Sequence, residues 1–216
     1  LLHIPALSNV LYSEDILFPI ADFYLKKERW NEAIEVYEEM ETIGALQGRG
    51  AEYYQKLGYA LQKNKKYAEA IDAYLKADTL KPDNIWNNRH LAICYRLNRN
   101  YQAALSYDKK VEEATPEDTN VIFHIGSCLA ELGQYEEAAN YFFKLDFIES
   151  NCIKAWRGIG WCSFISRKYE QAMKYYEKII EQKPLAIDYM NAGHVAWTMG
   201  DIQKAAALYG KSITAN

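Results

Sequence analysis

Alanine recurs along this chain at Ala33, Ala70, Ala104, Ala138, Ala172 and Ala205. Three consecutive intervals are 34 residues, and the flanking ones are 37 and 33. A fixed period of this size means stacked copies of one supersecondary unit, none of which buries its apolar face alone. It overrides the prior that a chain of 216 residues folds as one or two globular domains.

Other residues travel with the alanine. Three positions before it stand Trp30, Tyr67, Tyr101, Tyr135, Tyr169 and Ile202. Four positions after it stand Tyr37, Tyr74, Asp108, Phe142, Tyr176 and Tyr209. Seven positions after it stand Met40, Ala77, Val111, Leu145, Ile179 and Ser212. These spacings put the set on one helical face, which predicts the second helix of each unit.

An earlier helix carries the same rhythm, as in Tyr54, Leu57, Gly58 and Leu61, or Trp156, Ile159, Gly160 and Ser163. Its small residue recurs as Ala21, Gly58, Ala92, Gly126, Gly160 and Gly193. Glycine in mid-helix costs about 1 kcal/mol against alanine, so a repeated one needs a packing reason. The expected reason is two helix backbones crossing too closely for a side chain. Between the helices lie polar turns, where Gly133 and Gly200 suit a left-handed helix end. Pro82, Pro116 and Pro184 close the units, because proline disfavours helix in the residue before it.

This pattern resembles the tetratricopeptide repeat family. The residues that carry the resemblance are the aromatic–leucine–glycine run, the alanine–aromatic pair and the closing proline. It implies an all-α, right-handed superhelical solenoid of about six antiparallel helix-turn-helix repeats. The units are placed at 14–50, 51–84, 85–118, 119–152, 153–185 and 186–216, after an apolar lead-in over 1–13. Ser150, Asn88 and Asp108 depart from the pattern, the last two standing where aromatics are expected. Pro19 predicts a kink or a late start of the first helix, and three glycines between Gly44 and Gly50 predict a looser junction. Leu208, Tyr209 and Ile213 are expected to face nothing, which reads as a solenoid continuing beyond Asn216.

The net charge is −4, which argues against a nucleic-acid partner, whose footprint is a basic face. The charge is uneven. Residues 1–50 hold four basic and nine acidic side chains, whereas 153–185 hold seven basic and three acidic ones. No apolar run is long enough for a membrane span. Cys94, Cys128 and Cys162 occupy equivalent places and read as small, buried, free thiols. Free thiols fit a reducing compartment, and the expected location is the cytoplasm, although free cysteines also occur in exported proteins. No paired-histidine or cysteine spacing for a metal, no cofactor loop and no nucleophile motif is present. The chain therefore reads as a non-enzyme with no cofactor.

In the resembled family the first helices line a concave surface. The resemblance implies that first-helix residues off the packing face look inward. They include Tyr59 in the second unit and Trp86, Arg89, His90 and Arg96 in the third. Phe123 and His124 follow in the fourth unit, Arg157, Trp161 and Phe164 in the fifth, and His194 and Trp197 in the sixth. Tryptophan and arginine dominate binding hot spots. The expected partner is a protein segment, an extended peptide or a helix, with acidic and apolar side chains. Arginines such as Arg89, Arg96 and Arg157 would anchor its carboxylates. The lysine–asparagine–arginine clamp by which some members hold an acidic C-terminal tail is missing, as Gln55, Tyr59, His90, Asn120 and His124 stand in its places. The alternative is an oligomerisation or sensory module of a larger signalling protein, self-associating through its C-terminal helix.

Overall fold

The computed structural model describes residues 14–44 and 48–215. The lead-in over 1–13 and the middle of the glycine-rich junction lie outside the described residues. These hold twelve α-helices and no strand. The chain divides into two compact units, residues 1–107 and 108–216. The first holds α1 (Glu14–Lys26), α2 (Trp30–Thr42), α3 (Gly50–Lys63), α4 (Tyr67–Leu80) and α5 (Ile85–Leu97). The division falls inside α6 (Tyr101–Ala114). The second holds α7 (Thr119–Glu131), α8 (Tyr135–Ile148), α9 (Ile153–Ile165), α10 (Tyr169–Ile180), α11 (Ala186–Thr198) and α12 (Ile202–Thr214). Within each unit, helices adjacent in sequence pack on one another.

The turns inside the repeats share one device. Glu28, Lys65, Arg99, Gly133, Arg167 and Gly200 all have positive φ, between 57° and 84°. Each lies five residues before a recurring alanine. The next residue's N–H reaches back to the carbonyl five positions earlier, as in Lys66 to Leu61, Gln134 to Leu129 and Asp201 to Ala196. This six-to-one bond satisfies an orphan carbonyl at the helix end and reverses the chain. Only two of the six positions are glycine, so four turns hold an ordinary side chain in the left-handed region.

All six recurring alanines have no exposed surface. Ala138→Leu is expected to overpack α8, at a cost of about 1–3 kcal/mol, read as a lower denaturation midpoint. An unaltered midpoint would put Ala138 off the packing face.

The glycine column has a different reason from the expected one. A Cβ on Gly58 would lie 2.8 Å from the Tyr74 ring, and one on Gly193 would lie 2.7 Å from the Tyr209 ring. Gly126 and Gly160 stand in the same relation to Phe142 and Tyr176, at 2.9 and 3.0 Å. It is the aromatic four residues after each alanine, not a helix backbone, that excludes the side chain. The third repeat carries the polar Asp108 in place of that ring, and alanine, Ala92, in place of the glycine.

Two further expectations are corrected. Helix α1 runs through Pro19, with Leu17, Phe18 and Ala21 buried around it, so no late start occurs there. At the other end Leu208 is buried, and the Tyr209 hydroxyl is bonded to His194 Nδ1 at 2.7 Å. Of that trio only Ile213 stands out, 82% exposed. Asn88 and Asp108, the two departures from the aromatic columns, are both buried.

Candidate partner-binding surface

In the first unit Tyr59 on α3 meets Trp86 and His90 on α5. The Trp86 and His90 ring centroids are 4.0 Å apart, and His90 lies near-parallel to Tyr74 at 5.6 Å. Tyr59 sits edge-on to His90 at 5.6 Å and tilted to Trp86 at 6.3 Å. Beneath them the Gln62 amide oxygen lies 2.7 Å from His90 Nδ1 and accepts from the Tyr74 hydroxyl at 3.0 Å. An amide oxygen only accepts, which puts the imidazole proton on Nδ1. The rings fill one another's space, leaving one face of Trp86 outward, 43% exposed. Arg89 and Arg96 are half-buried on the same helix.

Burial pushes the His90 pKa down to about 4, with Lys63 and Arg89 adding to it. The unfolded chain protonates its histidine near 6.5, before the folded one does. His90 therefore stabilises the fold above pH 6.5, and that contribution is lost as the pH falls toward 4. The difference in unfolding free energy between wild type and His90→Phe should shrink across that window. A constant difference would mean that His90 stays solvated.

In the second unit Phe123, Arg157 and Trp161 come together at one pocket of about 610 Å³. Phe123, Ser127, Ala130 and Glu131 reach it from α7, and Tyr135 and Phe142 from α8. Lys154, Arg157, Gly158 and Trp161 reach it from α9, and Asn191 from α11. Phe142 forms part of the lining because it is held between two glycines. A Cβ on Gly158 would lie 2.5 Å from one side of its ring, and one on Gly126 would lie 2.9 Å from it. The Lys154 ammonium stands 5.8 Å from the Phe123 ring centroid and 3.4 Å from Glu149.

The reading of Arg157 as an anchor for a partner's carboxylate is corrected. Its Nε and one terminal nitrogen donate to the two oxygens of Asp188, at 2.8 and 2.7 Å. Asp188 is only 1% exposed and also accepts from the Leu185 backbone N–H at 2.7 Å, at the start of α11. A buried carboxylate needs that partner. The guanidinium fork is committed within the chain, and the α9–α11 tie it makes holds one wall of the pocket.

The remaining predicted residues lie apart from the pocket lining. His124 is beside Phe123, at 6.0 Å between centroids. Phe164 packs between Trp161 and Tyr169. His194 is tied to Tyr209, and Trp197 is exposed. Sequence reasoning missed Phe142, assigned to packing alone, and Gly158. The signal for Gly158 was there, since it stands 34 and 68 residues after His124 and His90.

The four cysteines are free and buried, and burial pushes the Cys162 thiol up to about 11. Among the described residues no cluster of three or more His, Cys, Asp or Glu side chains is placed to hold a metal ion. No described helix is long and apolar enough to cross a membrane.

Family models described as tetratricopeptide repeat match residues 17–47, 51–84, 129–187 and 189–216. A search of the curated proteins returns no match. Among solved structures, a tetratricopeptide repeat protein from Parabacteroides merdae ATCC 43184 is similar at a TM-score of 0.76 and 19% identity, covering 94% of this chain and 79% of that one. MamA, from residue 41 to its end, of Desulfovibrio magneticus RS-1 is similar at 0.69 and 18%, covering 79% and 97%. YrrB, described as a TPR protein with an unusual peptide-binding site, is similar at 0.67 and 21%, covering 86% and 91%. At these identities the likeness is one of fold.

Proposed function

The chain belongs to the tetratricopeptide repeat family, and from that premise we propose that it is a protein-interaction scaffold. Its first-helix side chains hold an extended segment of a partner protein, and it performs no chemistry of its own. The repeats run over 14–50, 51–84, 85–118, 119–152, 153–185 and 186–216.

The observation that carries this reading is the pocket lined from α7, α9 and α11. Three successive first helices contribute Phe123, Trp161 and Asn191 to one concavity. Exposed aromatic area beside ordered polar groups is the composition of a binding hot spot. Trp86, exposed above its own aromatic cluster, offers a second contact of the same kind in the first unit. The peptide-binding site attributed to YrrB, which shares the fold, supports the same use of it here.

A second reading has its own observation. Helix α12 leaves Ile202 and Ile213 exposed, a face suited to self-association or to docking a following domain. A mass in solution that rises with concentration, and falls back in Ile213→Glu, would favour it.

The primary reading is tested by capturing partners from native lysate with wild type, Trp86→Ala and Trp161→Ala, each variant keeping its melting temperature. Proteins lost with either variant support the scaffold reading. An identical set from all three would remove the first-helix surface from consideration.

A further inference from the structure

Two repeat columns are cut short at the junction of the fourth and fifth repeats. The residue one place after the recurring alanine is large at Ile34, Ile71, Leu105 and Met173, but it is Ala139 in the fourth repeat. The residue three places after the small residue of the first helix is Tyr24, Leu61, Tyr95 and Leu129, and then Ser163 in the fifth repeat. Moving back 34 residues takes Ala139 and Ser163 to Leu105 and Leu129, and moving back 68 takes them to Ile71 and Tyr95. Where both are small, the second unit holds a separate pocket of about 210 Å³, larger than one water needs. Ala139 on α8 and Ser163 on α9 line it, with Lys168 just before α10 and Gln171 within it. None of its residues lines the pocket of Trp161.

The missing apolar bulk is replaced by hydrogen-bonding groups. Ser163 is 2% exposed, and its hydroxyl donates to the Gln171 side-chain oxygen at 3.0 Å. A hydroxyl that donates keeps its oxygen as an acceptor, and an amide whose oxygen is engaged keeps its N–H donors. An acceptor and a donor therefore stand side by side in the lining. Glu136 and Lys168 are paired with each other at 3.2 Å, so neither is a lone charge in the pocket. The Phe143 ring and the Ala139 methyl supply apolar wall. A carboxylate would set acceptors against the Ser163 oxygen, an ammonium would set donors against the Gln171 N–H groups, and an alkyl group would answer neither. A carboxamide carries an acceptor and a donor on adjacent arms of one flat, uncharged group and answers both.

We propose that this pocket binds an uncharged carboxamide, whose oxygen accepts from Gln171 and whose N–H donates to Ser163. A glutamine side chain of another protein and a small free amide present the same chemistry. The site is built against the second helices α8 and α10 and shares no residue with the pocket of the scaffold reading, so the two stand or fall separately.

The probes are propionamide, propionate, propylammonium and butanone, which are alike in size. Each is titrated into ¹⁵N-labelled protein, following the Gln171 side-chain N–H pair and the Ser163 backbone N–H. Propionamide should shift both signals saturably and bind at least about threefold tighter than each of the others, a factor that one net hydrogen bond supplies. Acetyl-glutamine-methylamide, titrated beside it, separates the two sources: tighter binding than propionamide assigns the site to a protein side chain, and weaker binding assigns it to a free amide. Two variants remove the site. Ala139→Leu with Ser163→Leu restores the pair found at Leu105 and Leu129 and fills the pocket. Gln171→Glu installs the residue that stands one period earlier at Glu137, which leaves the pocket open and removes the donor. Each should lose the propionamide response while keeping its melting temperature, and if the double variant unfolds, Gln171→Glu decides alone. Equal affinity for propionate or butanone, an unaltered Ser163 response in Gln171→Glu, or no saturable shift overturns the proposal.

Discussion

Phe142→Ala is expected to destabilise the second unit by about 3–5 kcal/mol, the range for removing a buried ring that its surroundings do not collapse to replace. Collapse is hindered here because the ring's neighbours are helix backbones. Gly126 on α7 and Gly158 on α9 lie against it so closely that neither position has room for a Cβ, and glycine has no side chain with which to fill a hole. The ring is a spacer between two helices as much as an apolar group, and its loss unseats both. Chemical denaturation of the variant measures this. A loss below about 1 kcal/mol would mean that the two helices do not depend on the ring between them.

Arg157→Met should cost about 3 kcal/mol, the lower end of the range for breaking a buried ion pair. The figure sits at the lower end because the arginine side chain keeps 36% of its surface exposed, so water moderates the loss. The cost comes from Asp188, whose buried carboxylate would keep the Leu185 N–H but lose both guanidinium hydrogen bonds. Removing both charges, as in Arg157→Met with Asp188→Leu, should recover most of the stability, since an apolar pair needs no compensation. A double variant as unstable as the single one would show that the pair supports the fold by packing alone.

The periodic part of the fold was legible because each position repeats. A buried alanine, an aromatic four residues on and a small residue on the first helix are one contact written several times. The chemistry of that contact was harder to see. The glycine column reads equally well as a close backbone crossing or as a bed for a ring, and only the placement of Tyr74, Phe142, Tyr176 and Tyr209 decides between them. The left-handed turn residue was visible at Gly133 and Gly200. At Glu28, Lys65, Arg99 and Arg167 the backbone is carried into that region by the hydrogen bonds of the helix end, which no side chain announces.

The site was legible as a region. Phe123 and Trp161 were found by their offset from the packing face, and both line the pocket. The role of Arg157 was misread because its partner lies 31 residues away, in the first turn of another helix. Gly158 was passed over because it lies outside the glycine column. It becomes informative when compared with His90 two periods earlier, whose ring covers Tyr74.

The most direct test of the scaffold assignment is the affinity of a captured partner segment for wild type and for Trp161→Ala, measured by calorimetry on proteins of equal melting temperature. The variant is expected to bind at least about fivefold more weakly, the loss that follows when a hot-spot side chain is truncated. Equal affinities would contradict it and place partner binding away from the first-helix face.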